Sequence, residues 1–208
     1  MTTSSGKMIS VRDALARPVP QRELPRVLGL IRQESAIVRG AVLGTMMRND
    51  IYDFARLGTF IERADNTARI LDVKYYVLLP SPFHVGSSLD NVQWETILRS
   101  VSAQRAYRWQ NPGQVEPMGI AEFLILDPRM PRSLAFCYRK IDDNLGYLAA
   151  DYGQHHHCHE LSHNLRLRLS GRPIASIFDD GLHEFLRDCI QANNRLGQAI
   201  ERDYRFSS

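Results

Sequence analysis

No stretch of this 208-residue chain alternates apolar and polar residues as a strand does, so a sheet architecture has nothing to build on. No apolar run reaches the ~20 residues that a membrane span needs, and no membrane partner is expected. The opening MTTSSGKMISVRDALARPVP lacks the apolar centre of a signal peptide. Pro18 and Pro20 interrupt it, and Pro25 follows, which makes residues 1–22 a flexible lead-in and 23–208 the folded domain. Cysteine is scarce: Cys137, Cys158 and Cys189 are odd in number, far apart, and form no metal or redox motif. They suit a reducing cytoplasm. Residues 1–48 hold eight Arg/Lys against three Asp/Glu, yet contain no Phe, Tyr or Trp. A basic face without interleaved aromatics argues against a nucleic-acid partner. Also missing are a G-x-S-x-G elbow, a phosphate-binding glycine loop and a Cys/His catalytic signature, so no cofactor is expected.

What is present is helix. A content of 44% hydrophobic and 24% charged residues suffices for one soluble globular core. The chain is organised around Ile51 to Leu79, where Phe54, Leu57, Gly58, Ile61, Ala64, Ala68, Leu71, Tyr75 and Leu78 recur at helical spacing. On this wheel Asp65 and Asp72 fall inside the apolar stripe. Arg69 lies at its edge within reach of both, Glu62 borders the same side, and Arg63 points the opposite way. Before it, a helix over Leu24 to Met47 carries the stripe Leu24, Leu28, Ile31, Val38, Val42 and Met46, and Asn49 or Asp50 caps the next helix. After it, Pro80-Ser81-Pro82 ends the helix, and a Pro/Gly/Ser-rich loop runs to Ser88. Further helices are expected over Asp90–Gln110, Pro117–Leu126, from Pro131 with its seam at Leu134, Cys137, Ile141, Leu145 and Leu148, over His155–Ser170, and from Ser176 or Asp180 to Tyr204. The fold class is all-α, a multi-helix bundle around a long central helix.

FARLGTFIERADNTARILDVKYY, with its Glu62-Arg63 pair, resembles the signature of the alpha-E domain family, bacterial all-helical domains named for a Glu-Arg motif. WETILRSVSAQRAYRW, AEFLILDPRMPRSLAFC and GLHEFL resemble further stretches of the same family, in the same order. Family members usually open with another Glu-Arg helix, of the type tryptophan-leucine-glycine-arginine. Nothing like it precedes Ile51, so the resemblance implies only the C-terminal part of the domain. The resemblance also implies a helical accessory domain encoded beside, or fused to, ATP-grasp and transglutaminase-like proteins that form peptide or amide bonds.

Three clusters could carry chemistry. Glu62, Asp65, Arg69 and Asp72 could bind a metal through carboxylate oxygens or supply general acid and base. The helix offers no histidine for the Glu-x-x-His pair of di-metal bundles, and the plain alternative is a buried ion-pair network. His159 and His163 stand four apart on a helix, a chelating spacing, but both project away from the apolar stripe with no third ligand. Arg129 and Arg132, with Lys140, stand at the opening of a helix whose free N–H groups could hold an anion; the alternative is an ordinary cap. His183 in GLHEFL is either catalytic or structural. The leading expectation is a non-catalytic helical partner. The competitors are a ligand- or metal-binding domain or enzyme using the acidic cluster with Arg69, and a truncated, non-functional remnant. Because Phe60, Thr67 and Val77 widen the central stripe, as Val27, Ile37 and Leu43 widen that of the first helix, a cover is expected from a second copy or a separate chain.

Overall fold

The structure is a computed structural model that describes residues 11–77, 88–113 and 115–205, with side chains described except at 74–77 and 88–91. The chain divides into two compact units, Met1–Tyr52 and Asp53–Ser208. Among the described residues there is no strand, as the missing alternation predicts, and no helix long and apolar enough to cross a membrane.

In the first unit residues 11–15 are helical, within the segment expected as a lead-in. Helix α1 (Leu24–Thr45) has Pro25 in its first turn, where a missing N–H costs nothing. Its expected inner stripe is largely open. Leu24, Leu28 and Val38 are 44%, 54% and 37% exposed, whereas Val27 and Glu34, on the neighbouring side, are buried. Asn49 Oδ1 accepts the Tyr52 N–H at 3.3 Å and caps the next helix.

That helix is α2 (Asp50–Val77), most of which belongs to the second unit. It is followed by α3 (Ser88–Ser100), α4 (Gln104–Gln110), α5 (Pro117–Ile125), α6 (Leu134–Tyr152), α7 (His157–Leu169), α8 (Ile174–Asp179) and α9 (Leu182–Asp203). Helix α7 packs on α6 and α9, α3 on α5, and α5 on α6 and α8. The core joins Leu57, Phe60, Ala64, Ala68 and Leu71 to Leu98, Leu124, Leu134, Ile141, Leu145 and Leu186. Each fully buried Leu or Ile contributes about 1.5–3 kcal/mol.

One expected helix is two. The segment from Asp90 to Gln110 breaks at Ser102, whose φ is 56°. The Ala103 N–H reaches the Leu98 carbonyl at 2.8 Å and the Ser102 N–H reaches that of Arg99 at 3.0 Å, the pattern of a left-handed helix end. Val101 and Ala103 on either side are both buried; the bend turns both inward. The last helix takes the later of its two expected starts, beginning after Gly181, φ 98°, where a Cβ would collide with the Glu184 carboxylate. Pro131 lies before α6, not in its first turn; Ser133 is the cap, its Oγ accepting the Phe136 N–H at 3.0 Å. The Pro80–Pro82 stop, the loop beyond it, and the Tyr75, Val77 and Leu78 side chains lie outside the described residues.

Candidate functional site at the Glu-Arg helix

The buried arc of α2 is rotated from the expected one. Phe60 and Thr67 are both fully buried, alongside Ala64 and Ala68, so the arc extends toward Arg63 and leaves the acidic side at its margin. Arg63, expected to point outward, is half-buried and donates from Nη1 to the Pro131 carbonyl at 3.0 Å. One turn on, Thr67 Oγ1 donates to the Arg132 carbonyl at 2.8 Å. Glu62, expected at the core side, is exposed. The Glu-Arg pair is therefore divided, with its arginine fastening a loop and its glutamate facing solvent. Phe60 and Thr67, which widen the expected stripe, are packed within this unit, Phe60 against Phe136 at 5.9 Å between ring centroids and Thr67 on the Arg132 carbonyl.

The fastened loop, residues 127–133, is stiff by its own bonds. Asp127 Oδ1 accepts the Arg129 N–H at 2.7 Å and its Oδ2 accepts from Gln110 at 2.8 Å. Ser133 Oγ donates to the Asp127 carbonyl at 2.5 Å, and Arg139 reaches the Pro128 carbonyl at 3.0 Å. Burial pushes the Asp127 carboxyl up, but the bonds from the Arg129 N–H, Gln110 and the Arg129 guanidinium outweigh it and hold the group below its ordinary value. The opening of α6, expected beside Arg129 and Arg132 as an anion site, has a side-chain cap. Ser133 and Leu134 are fully buried there, and the Ser133 hydroxyl takes the Phe136 N–H. Arg129 pairs with Asp127 at 3.5 Å, and Lys140 with Asp143 at 2.8 Å.

On the other margin of α2, Asp65 and Arg69 pair at 2.7 Å, but the arginine side chain is 54% exposed. The side-chain bond from Asp65, then its charge, raises the Arg69 pKa. Asp72 does not share this bond. It pairs with His183 of α9, Oδ1 to Nδ1 at 2.5 Å, and both side chains are largely buried. Asn193, also on α9, donates to the Ile61 carbonyl at 3.0 Å. The Asp65 Oδ1 and the Asn193 Oδ1 are buried without a hydrogen-bond partner. The acidic cluster is thus divided between a surface pair and an interhelical one. His183 was legible as a candidate; its partner was not, because 111 residues separate the two.

The histidine pair does not chelate. His159, expected on the surface, is buried. Its Nε2 faces the Leu145 carbonyl at 3.1 Å and its Nδ1 accepts the His156 N–H at 2.9 Å, so both ring nitrogens are engaged. His163 lies elsewhere, 4.0 Å from Asp142. Among the described residues no group of three His, Cys, Asp or Glu comes together. The three cysteines are buried free thiols, and burial pushes each up to about 12.

Three of the stretches that carry the resemblance meet here, and the fourth ends one residue before a further bond. Arg63 and Thr67 hold the DPRMPRS loop, Asp72 holds the histidine of GLHEFL, and Gln110, next to Trp109, holds Asp127. A family model described as a predicted alpha-helical domain with a conserved ER motif matches residues 5–205. No curated protein and no solved structure matches the chain. The match corrects one expectation. It runs over nearly the whole chain and includes α1, which lacks the tryptophan-leucine-glycine-arginine spelling, so the likeness is not confined to a C-terminal part. A helix can hold its place in a family pattern by apolar spacing without that spelling. Three of these stretches joined by side-chain bonds, and a match over residues 5–205, place this chain in the Alpha-E family.

Proposed function

We propose that the protein is a helical interaction domain that works beside a separate ATP-grasp or transglutaminase-type protein forming peptide or amide bonds. One observation carries the reading. The motif arginine is committed to the Pro131 carbonyl while Glu62, beside it in sequence, is exposed. Such a division makes the motif an architectural clamp with an outward polar face. A catalytic pair would instead converge on one reacting atom. The bonds of Thr67 to Arg132 and of Asp72 to His183 extend the clamp along α2. The association with bond-forming enzymes rests on the family resemblance, and is an analogy at the level of the family.

The test is affinity purification of the tagged protein from its native host, followed by mass spectrometry. An ATP-grasp or transglutaminase-like protein recovered in amounts comparable to the bait supports the reading. The bait recovered alone, from cells that express such a protein, overturns it.

A further inference from the structure

Three arginines stand over two phenylalanines where α2 meets the start of α6, and a fourth, Arg132, adjoins them in the chain. The Arg56 and Arg63 guanidiniums lie 4.3 Å and 5.2 Å from the Phe60 ring centre. Phe60 stands 5.9 Å from Phe136, and the Arg139 guanidinium is 5.3 Å from the Phe136 ring centre. Arg132 adjoins Pro131, whose carbonyl Arg63 holds, and both Arg63 and Arg132 lie close enough to Cys137 to oppose the upward push of burial on its thiol. All four arginines are half-buried. The Arg139 Nε is buried without an acceptor.

We propose that this arginine–phenylalanine face docks an acidic segment of a partner protein. The proposal rests on the interaction-domain reading above and names the surface that reading lacks. Guanidiniums crowded on adjacent rings concentrate positive potential in a partly dry setting, where it acts more strongly than in open water. The rings and the Pro131 and Pro128 carbonyls hold Arg63 and Arg139 in place beforehand, so docking orders little that is not already ordered. The planar fork of a guanidinium matches a carboxylate in two parallel bonds. Exposed Pro131 and half-buried Phe136 add apolar contact beside the charge. A peptide that interleaves Asp or Glu with apolar side chains satisfies both. A phosphate chain would use only the charge, and the backbone donors it favours are closed here by the Ser133 hydroxyl and the burial of Leu134. The nearby carboxylate of Asp127 is already matched to Arg129.

The probe is a fluorescein-labelled peptide of repeated Asp-Leu-Glu units, followed by anisotropy on the full chain. Arg132→Glu is the informative variant, since the Arg132 backbone carbonyl, not its side chain, holds Thr67. It should weaken binding about tenfold or more, and Arg132→Lys less. Arg195→Glu, on the α7/α9 face beside Leu161 and Ala192, should leave binding within about twofold, and rising salt should weaken the wild type. Thermal melts check that each variant folds. No binding by the wild type, or equal losses in Arg132→Glu and Arg195→Glu, overturns the proposal. So does polyphosphate binding that is at least as tight and as dependent on Arg132. In the purification from the native host, a partner that stays on Arg132→Glu overturns this surface and leaves the interaction-domain reading intact. Peptide binding that depends on Arg132, with no such partner recovered, does the reverse.

Discussion

Replacing Thr67 with valine removes one hydroxyl from a fully buried position and keeps the side chain's shape. The hydroxyl donates to the Arg132 carbonyl at 2.8 Å across 65 residues. Without it the carbonyl has lost the Thr67 donor, since the Phe136 N–H four residues on is taken by Ser133 Oγ. Arg132 is only half-buried, so losing this donor costs toward the lower part of the about 1–3 kcal/mol of a fully buried group. Thr67→Ser keeps the donor and loses one buried methyl, about 1 kcal/mol. Valine should therefore be the worse substitution. A loss of about 1–2 kcal/mol moves Tm by roughly 2–8 °C in a domain of this size. Urea unfolding followed by tryptophan fluorescence reads the second unit, because Trp94 is buried in it. Far-UV circular dichroism confirms that the native helices remain. If Thr67→Val unfolds at the wild-type urea concentration, or later than Thr67→Ser, then the bond does not fasten the loop, and the clamp is a coincidence of packing.

Arg69→Ala should shift the urea midpoint by less than about 1 kcal/mol equivalent, because its pair with Asp65 is half open to solvent; a loss of several kcal/mol would mean that Arg69 is buried after all. Asp127 gives a pH dependence. Its folded-state pKa lies below the ordinary value, so its contribution is complete above about pH 5, where the unfolded group is also ionised, and is lost as pH falls through the folded value. The stability gap between wild type and Asp127→Asn should hold from neutral pH to about 5 and narrow below about 4; a gap that is flat or widens in acid contradicts the bonding described.

The helices were legible because their apolar spacing is regular, as at Leu134, Cys137, Ile141, Leu145 and Leu148, all buried in α6. The breaks were less so. Ser102 adopts a backbone that favours glycine, and nothing in its side chain announces that. The site was misjudged by one rotation of α2. Centring the stripe on Leu57, Ile61, Ala64 and Ala68, with Phe60 and Thr67 only as its widening, swings the face toward Asp65 and away from Arg63. A wheel ranks residues by hydropathy and gives no weight to a threonine whose partner is a carbonyl 65 residues away. His159 was read as surface for a similar reason, since its burial depends on the Leu145 carbonyl of another helix. Bonds between distant segments have no local signature.

In the first turn of α7 the Cys158 N–H donates at 2.8 Å to a carboxylate oxygen of Asp203, the final residue of α9. The last turn of a helix ordinarily frays without consequence for its neighbours. Here fraying would strip α7 of a donor's partner at its own opening turn, leaving that N–H to water. The two helix ends are thus thermodynamically linked, and opening one makes opening the other easier. Protection against amide exchange should extend to the end of α9, and a cut or fusion placed just past Tyr204 would be felt 45 residues upstream, at Cys158.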